Sequence, residues 1–287
     1  MAPPLLRVGQ VVDPATKLWT VQAHLGSGDF GAVYRVKNGK GEEAAAKVSH
    51  RYDELKVELD IYQHINNKSI FLPRIIAYGN KTIPHFIIIT LEGRTLDDLQ
   101  SSSPDCCLSP RDVMRYSADC VRALQSLHSF DYVHRDIKGD NLAEGLSLMR
   151  APVVILDLGL AKYVRTVDGR RQYPRHDKTN RCDCVFSSPR VARRRSYKEL
   201  DDLFSLMYTM LDSRNALNFD VPAEQLLQKK IDLNEHPERH LEMHNHFMAP
   251  FIKVIASMSY SRLPDYQAVL QGISDMEPLI RADEEKL

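Results

Sequence analysis

The chain has 287 residues with 38 basic and 38 acidic side chains, and 43% of it is apolar, enough for one large core or two closely joined lobes. A net charge of zero argues against general binding to nucleic acid or to a charged membrane surface, and no apolar run approaches the ~20 residues that span a bilayer. The opening Met1-Ala-Pro-Pro-Leu-Leu-Arg7 lacks the layout of a secretory signal, and five cysteines (Cys106, Cys107, Cys120, Cys182, Cys184) without a CxxC pair fit reduced thiols in a cytoplasmic or nuclear protein.

In chain order, Leu18 to Leu25 reads as a strand that runs into Gly26-Ser-Gly28-Asp-Phe-Gly31. Glycines let backbone amides approach phosphate oxygens, and Phe30 would cover the tip. A dinucleotide-binding turn shares the pattern, but there the last glycine opens a helix. Here Ala32-Val-Tyr-Arg-Val36 alternates like a strand, which favours a glycine-rich hairpin over phosphates. Asn38-Gly39 marks the next turn. On Glu43–Val48, alternation points Lys47 away from Ala46 and Val48. The segment from Asp53 to Ile65 reads as a helix with an apolar stripe of Leu55, Leu59 and Tyr62; Glu58 is the expected partner of Lys47 and Glu54 the rival. Phe86 to Leu91 is a continuous apolar strand leading to Glu92-Gly-Arg94, a hinge in which Thr90, Leu91 and Glu92 would meet an adenine edge, with Ile89 guarding the space behind.

Ser109-Pro110-Arg-Asp112 is a helix start, followed by apolar residues at helical spacing up to Leu127. Tyr132-Val-His-Arg-Asp-Ile-Lys-Gly-Asp-Asn141 then sets a base candidate (Asp136), a cation (Lys138) and an amide ligand (Asn141) close together. Val153 to Leu156 is a short buried strand ending in Asp157-Leu-Gly159, where a carboxylate before a permissive glycine suits Mg²⁺. Leu200–Leu211 is apolar on nearly every face, so Asp202 within it is expected to anchor the catalytic-loop backbone.

In this order and spacing, these motifs resemble those of eukaryotic protein kinases over nearly the whole chain. The stretches Asp201-Asp-Leu-Phe-Ser-Leu206 and Tyr260 to Tyr266 are similar to the casein kinase 1 group, and Leu91-Glu-Gly-Arg94 and Phe130 to Asp136 to its tau-tubulin-kinase-like branch. The resemblance implies an α+β, bilobal fold: a small antiparallel sheet lobe with one helix (15–91), a hinge (90–94) and a larger helical lobe (95–280), flanked by an extension (1–14) and a tail (281–287). It further implies Asp136 as catalytic base, Lys138 steadying the γ-phosphate, Lys47 held by Glu58, and Asn141 and Asp157 on metal. Leu25, Gly26, Ser27, Gly28, Asp29, Phe30, Gly31, Val33, Ala45, Lys47, Ile89, Thr90, Leu91, Glu92 and Ala143 would enclose ATP. ATP and Mg²⁺ are the implied cofactors, protein Ser/Thr hydroxyls the substrates, and a monomer active without phosphorylation of Thr166, Tyr173 or Thr179 is expected. The Ala-Pro-Glu motif is missing, as in that group. Disorder is expected in the first ~10 residues and in Arg281–Leu287, and regulation by a tail is not expected.

Some positions depart from the family. Gly139 replaces a proline, which is expected to loosen the loop, and Leu158 replaces a phenylalanine with little consequence. Arg181-Cys-Asp-Cys-Val-Phe186 stands where relatives have a threonine that steadies the catalytic aspartate and lysine; Asp183 there would add negative charge near Asp136. This motivates the alternative of an ATP-binding pseudokinase scaffold. A small-molecule phosphotransferase is opposed by Phe30 and by Pro264-Asp-Tyr266. Between Asp157 and Leu200 there are 12 Lys/Arg against five acids, a local charge of +7 suited to acidic or phospho-primed protein substrates, or to a solvated basic face. The histidines at 236, 240, 244 and 246 lack the companions of a zinc site and read as surface residues.

Overall fold

On the strand that carries Lys47, the side chains divide as alternation requires: Ala44, Ala46 and Val48 enter one apolar cluster, and Lys47 faces the opposite side. The computed structural model describes the chain except residues 1–5, 14–16, 29–30, 82, 147–150, 169, 174–184, 218, 220 and 286–287. Strands β1 (Trp19–Gly28), β2 (Gly31–Asn38), β3 (Glu43–Ser49), β4 (Ile75–Gly79) and β5 (His85–Thr90) form an antiparallel sheet in the order β1-β2-β3-β5-β4. Helix α1 (Tyr52–Ile65) lies between β3 and β4 in sequence and buries Leu55, Glu58, Leu59, Ile61, Tyr62 and Ile65. It stops at Asn66, whose left-handed φ of 49° lets its N–H close on the Tyr62 carbonyl at 2.9 Å.

The other face of the sheet is not bare. Leu6 and Val12 join Trp19, Val21, Tyr34 and Val36 in its cluster. The Leu6 N–H donates to the Tyr34 hydroxyl at 3.1 Å, and the Val12 N–H to the Trp19 carbonyl at 2.9 Å. Residues 6–10, expected to be disordered, are therefore ordered: a large apolar face needs cover, and the leading segment supplies it. The tail behaves likewise, since Arg281 and Glu284 lie in a helix and Glu284 accepts from Arg111 at 2.6 Å.

The larger lobe contains α2 (Leu96–Ser102), α3 (Pro110–Ser129), the short strands β6 (Tyr132–Val133), β7 (Leu142–Glu144), β8 (Val153–Ile155), β9 (Lys162–Tyr163), β10 (Arg165–Val167) and β11 (Arg170–Gln172), then α4 (Pro189–Ala192), α5 (Glu199–Asp212), α6 (Ala223–Glu235), α7 (Pro237–His240), α8 (Ala249–Ala256), α9 (Tyr266–Ser274) and α10 (Glu277–Glu284). Helix α3 starts as its sequence dictates, with the Ser109 hydroxyl accepting from the Asp112 N–H at 3.1 Å. Helix α5 is buried from Glu199 to Leu211 and forms the axis of the lobe. One core cluster contains Leu55 and Tyr62 of α1, Ile87 of β5, Leu124 of α3 and Leu158, so the lobes share their packing beside the cleft. This is the bilobal α+β architecture expected from the motifs.

Candidate active site

Antiparallel pairing sets Lys47 opposite Val33 on one side and Ile87 on the other, at the centre of the small lobe. Its ammonium lies 2.7 Å from Glu58 Oε2 and 2.7 Å from Asp157 Oδ1. Burial alone would lower the Lys47 pKa, but the two carboxylates outweigh it and hold the ammonium charged well above its usual range. The rival acid, Glu54, instead accepts from the Ser49 hydroxyl and pairs with Arg51 at 3.3 Å. Burial would raise the Asp157 pKa; Lys47 and the Gly159 N–H, at 3.1 Å, more than offset it and keep the carboxyl ionised. Leu158 is fully buried in the shared core and directs its N–H toward Glu58 Oε1 at 3.4 Å. The leucine thus packs in the core shared with α1.

The glycine hairpin is β1–β2, with Gly26 opposite Val33 and Gly28 opposite Gly31. Gly31 has φ +116°, and a Cβ there would lie 2.2 Å from the Val48 carbonyl oxygen, so only glycine fits. Cβ atoms at Gly26 or Gly28 would meet nothing within 4 Å, consistent with open space above the hairpin for phosphates. Asp29 and Phe30, expected at the tip, lie outside the described residues. Leu25 is exposed, Val33 half-buried and Ala45 buried; Ala45 pairs with Ile89 of β5. At the hinge, the Thr90 hydroxyl donates to Glu92 Oε1 at 2.6 Å, and a bridge between Thr95 and Ala143 joins the hinge to β7. Leu91 and Glu92 are half-buried, and Ala143 is fully buried beneath them.

The catalytic loop is held by α5. Asp202 accepts from the backbone N–H groups of His134 (2.8 Å) and Arg135 (2.9 Å), from the Tyr197 hydroxyl (2.8 Å) and from His128 Nε2 (2.8 Å). Arg135 has a left-handed φ of 74°, the strained backbone that this anchor maintains. His134 donates from Nε2 to the Leu156 carbonyl at 3.0 Å and accepts at Nδ1 from the Asp136 N–H at 3.2 Å, so the loop is also tied to the strand before Asp157. The Asn141 amide donates to the Asp136 carbonyl oxygen (2.7 Å) and to Asp136 Oδ2 (3.1 Å). Lys138 Nζ lies 3.7 Å from Asp136 Oδ2.

Those contacts use both amide protons of Asn141 and leave its Oδ1 as a ligand oxygen. The β7–β8 ribbon pairs Leu142 with Ile155, and the Leu156 N–H donates to the Asn141 carbonyl at 2.8 Å, which brings Asn141 beside Asp157. The pair offers hard oxygen donors, the set that Mg²⁺ takes.

Gly139 differs from its expected role. It is buried, and a Cβ on it would lie 1.6 Å from Asp97 Oδ1, so the carboxyl of α2 occupies the place of a side chain and the loop is packed rather than loosened. Burial, with a hydrogen bond and charge from Asp140, pushes the Asp97 pKa up to about 7. Sequence reasoning did not single out His128, Tyr197 or Asp97. Only His128 carried a signal: it falls four residues after Leu124 on the buried stripe of α3, where an imidazole needs a partner. Asp183, the departure of greatest concern, lies outside the described residues.

Comparison with known proteins agrees with this geometry. A sequence model described as the protein kinase domain matches residues 19–265. An inferred serine/threonine-protein kinase of Caenorhabditis elegans is 26% identical over 283 residues, covering 94% of this chain and 80% of that protein. An inferred Dictyostelium discoideum serine/threonine-protein kinase is 25% identical over 198 residues, and a C. elegans casein kinase I, also inferred, is 26% identical over 199. They cover 68% and 67% of this chain, but it spans only 40% and 58% of their own lengths. The solved structure of vaccinia related kinase 3 superposes with a TM-score of 0.74 at 19% identity, covering 99% of this chain and 93% of that one, a likeness of fold. With the domain matched over most of its length and Lys47 paired with Glu58 and Asp157, this chain belongs to the protein kinase family.

Proposed function

We propose that this chain is a catalytically competent protein serine/threonine kinase of the casein kinase 1 group, nearest its tau-tubulin-kinase-like branch. The observation that carries the reading is Lys47, 2.7 Å from both Glu58 and Asp157. Phosphoryl transfer needs the lysine, the helix glutamate and the metal carboxylate in place together. Asp136, oriented by Asn141, accepts the proton of the attacking hydroxyl, and Lys138 beside it offsets charge on the γ-phosphoryl group. Lys47 holds the α- and β-phosphates while Glu58 keeps it in position. Mg²⁺ bound at Asn141 and Asp157 would neutralise charge on the phosphates. Most of the rate then comes from positioning and charge, with little covalent work for the protein.

The proposed substrates are acidic or already phosphorylated protein segments. Arg165, Arg170, Arg193, Arg194 and Arg195 are exposed and have no acidic partner among the described residues. Arg193–Arg195 follow α4 and precede α5. Such a field draws acidic chains and weakens with salt. Equal kcat/KM for acidic and neutral peptides at both low and high salt would reject the preference.

A non-catalytic scaffold that binds ATP is the second reading, favoured by Asp183 in place of the threonine found in relatives. Labelled phosphate transfer from ATP to casein separates the two. The wild type should label casein, and Asp136→Asn should lose on the order of 10²–10⁴-fold, the usual worth of a general base. Labelling that survives the substitution would overturn the mechanism; tight ATP binding without labelling by the wild type would support the scaffold.

A further inference from the structure

We propose that Arg171 is a positioning residue that fastens the segment following the metal motif to both the catalytic loop and α5, and that productive binding of protein substrate depends on this clamp. The proposal rests on the kinase reading above and adds a residue that none of the family motifs contains.

The segment in question leaves Asp157-Leu-Gly159 through β9, which pairs with β6 at the entrance to the catalytic loop, and then forms the β10–β11 hairpin. The hairpin has little hydrophobic attachment of its own, because Arg165, Thr166, Val167 and Arg170 are all exposed. A two-stranded ribbon of this kind is marginal without outside support. Arg171 supplies it. One terminal nitrogen of its guanidinium lies 2.7 Å from Asp131 Oδ1 and the other 2.7 Å from Glu199 Oε1.

The two acceptors occupy informative places. Asp131 is the left-handed turn residue (φ 63°) just before β6, and its carbonyl accepts from the Val164 N–H at 2.7 Å. Glu199 is the first residue of α5, the helix whose Asp202 holds the loop through the His134 and Arg135 amides. One side chain therefore ties three elements whose mutual placement sets the floor on which a protein substrate lies. The Glu199 side chain is only 2% exposed, and Arg171 is its one ion-pair partner among the described residues. A buried carboxylate without a partner is strongly unfavourable, so the pair is under pressure to stay formed. Next to it, Tyr173 packs against Val133, Val164, Val191 and Tyr197, with the Lys198 ammonium 4.6 Å from its ring centre. The chain leaving the hairpin is thus seated as well as tethered. Lysine is a poor substitute here, because Arg171 reaches Asp131 and Glu199 from two separate terminal nitrogens of a rigid fork, a spread that one ammonium lacks.

The test uses the full chain. Wild type, Arg171→Lys, Arg171→Ala and the double variant Arg171→Ala with Glu199→Gln are compared, the last removing the clamp without leaving a buried charge unpaired. Two readouts are taken: hydrogen exchange of the amides from 162 to 173, and kinetics with ATP and a protein substrate varied separately. The expected result is faster exchange in all three variants. With it should come a fall of about tenfold or more in kcat/KM for protein substrate in the double variant, a smaller fall in the lysine variant, and ATP affinity held within about twofold. Unchanged exchange in the double variant would overturn the clamp. A lowered melting temperature with unaltered kinetics would also overturn it, because that is what a purely structural pair would give. If the wild type bound ATP but transferred no phosphate, the catalytic reading would fall, and the exchange comparison would still decide whether Arg171 fastens the segment.

Discussion

Asp201 and Asp202 are neighbours on α5, both fully buried, and they anchor different regions with carboxyl pKa values shifted in opposite directions. Asp202 holds the catalytic loop. Burial alone would raise its pKa, but the His128 hydrogen bond and charge, together with backbone amide donation, keep it below the usual carboxylate range. Asp201 holds the segment before α5. It accepts from the hydroxyls of Ser188 and Tyr260 and from the Lys198 N–H, yet burial outweighs these donors and pushes its pKa up to about 6. An imidazole donor and two backbone amides hold a buried carboxylate in its charged form more firmly than hydroxyls and a single amide do. The candidate catalytic loop is therefore held by an anchor kept ionised, and the segment from Ser188 to Lys198 by an anchor that titrates near pH 6.

Removing the ionised anchor should have the larger effect. Asp202→Ala strands the His134 and Arg135 amides and the Tyr197 hydroxyl in the core and frees the left-handed Arg135. Breaking a buried network of this kind costs about 3–5 kcal/mol. The expected outcome is a fall in melting temperature and a kcat lower by on the order of 10² or more, since Asp136 loses its placement. A kcat within about twofold of wild type would show that the loop holds itself and that the contrast between the two aspartates has no catalytic meaning.

A second substitution tests the loop from below. Gly139→Pro restores the residue usual in the family, but its ring would collide with Asp97 Oδ1, which lies 1.6 Å from the Cβ position. Overpacking of this sort costs about 1–3 kcal/mol, and a loss of kcat is expected with it. Asp97→Gly combined with Gly139→Pro should recover part of both. No recovery in the double variant would mean that glycine is required for the loop's backbone and not for the space it leaves to Asp97.

The legibility of the site divides along the same line. That Lys47 meets Glu58 and Asp157, and Asp136 meets Asn141, could be expected because period and order place them: alternation on β3, the stripe of α1, and an acid at the end of an apolar strand. The role of Asp202 was readable too, because an acid inside an all-apolar helix must be satisfied by something nearby. The partners that satisfy it were not. His128 and Tyr197 meet Asp202 across long sequence separations or through loop geometry that no local pattern encodes. The Gly139 expectation failed for the same reason, since the carboxyl that fills its space comes from α2. Residues 6–10 were misjudged because a chain end suggests disorder, while the sheet face that Leu6 and Val12 cover is assembled from residues farther along the chain. Local chemistry names the candidate reacting groups, and tertiary contact decides what holds them.

The smallest expected effect concerns the other aspartate and has the opposite sign. Asp201 has a folded pKa of about 6 against an ordinary value of 3.8, so between those values the folded state binds more protons than the unfolded state. Its contribution to stability is favourable at low pH and declines as pH rises through this window. The full shift, in which the hydrogen bonds that the carboxylate accepts are already offset against burial, corresponds to about 3 kcal/mol at pH 7. Asp201→Asn removes the titration while retaining an oxygen for the Ser188 and Tyr260 hydroxyls. In melts taken from pH 4 to pH 8, the variant should therefore gain on wild type by roughly 1–3 kcal/mol between about pH 4 and pH 6 and hold that gain above it, with kcat at pH 7 little altered. The scan on Asp202→Asn, extended below pH 4, should show a deficit at higher pH that shrinks as acid protonates the wild-type anchor. Parallel curves for Asp201→Asn and wild type would mean that Asp201 stays ionised throughout, and that the two neighbours differ in what they hold but not in charge.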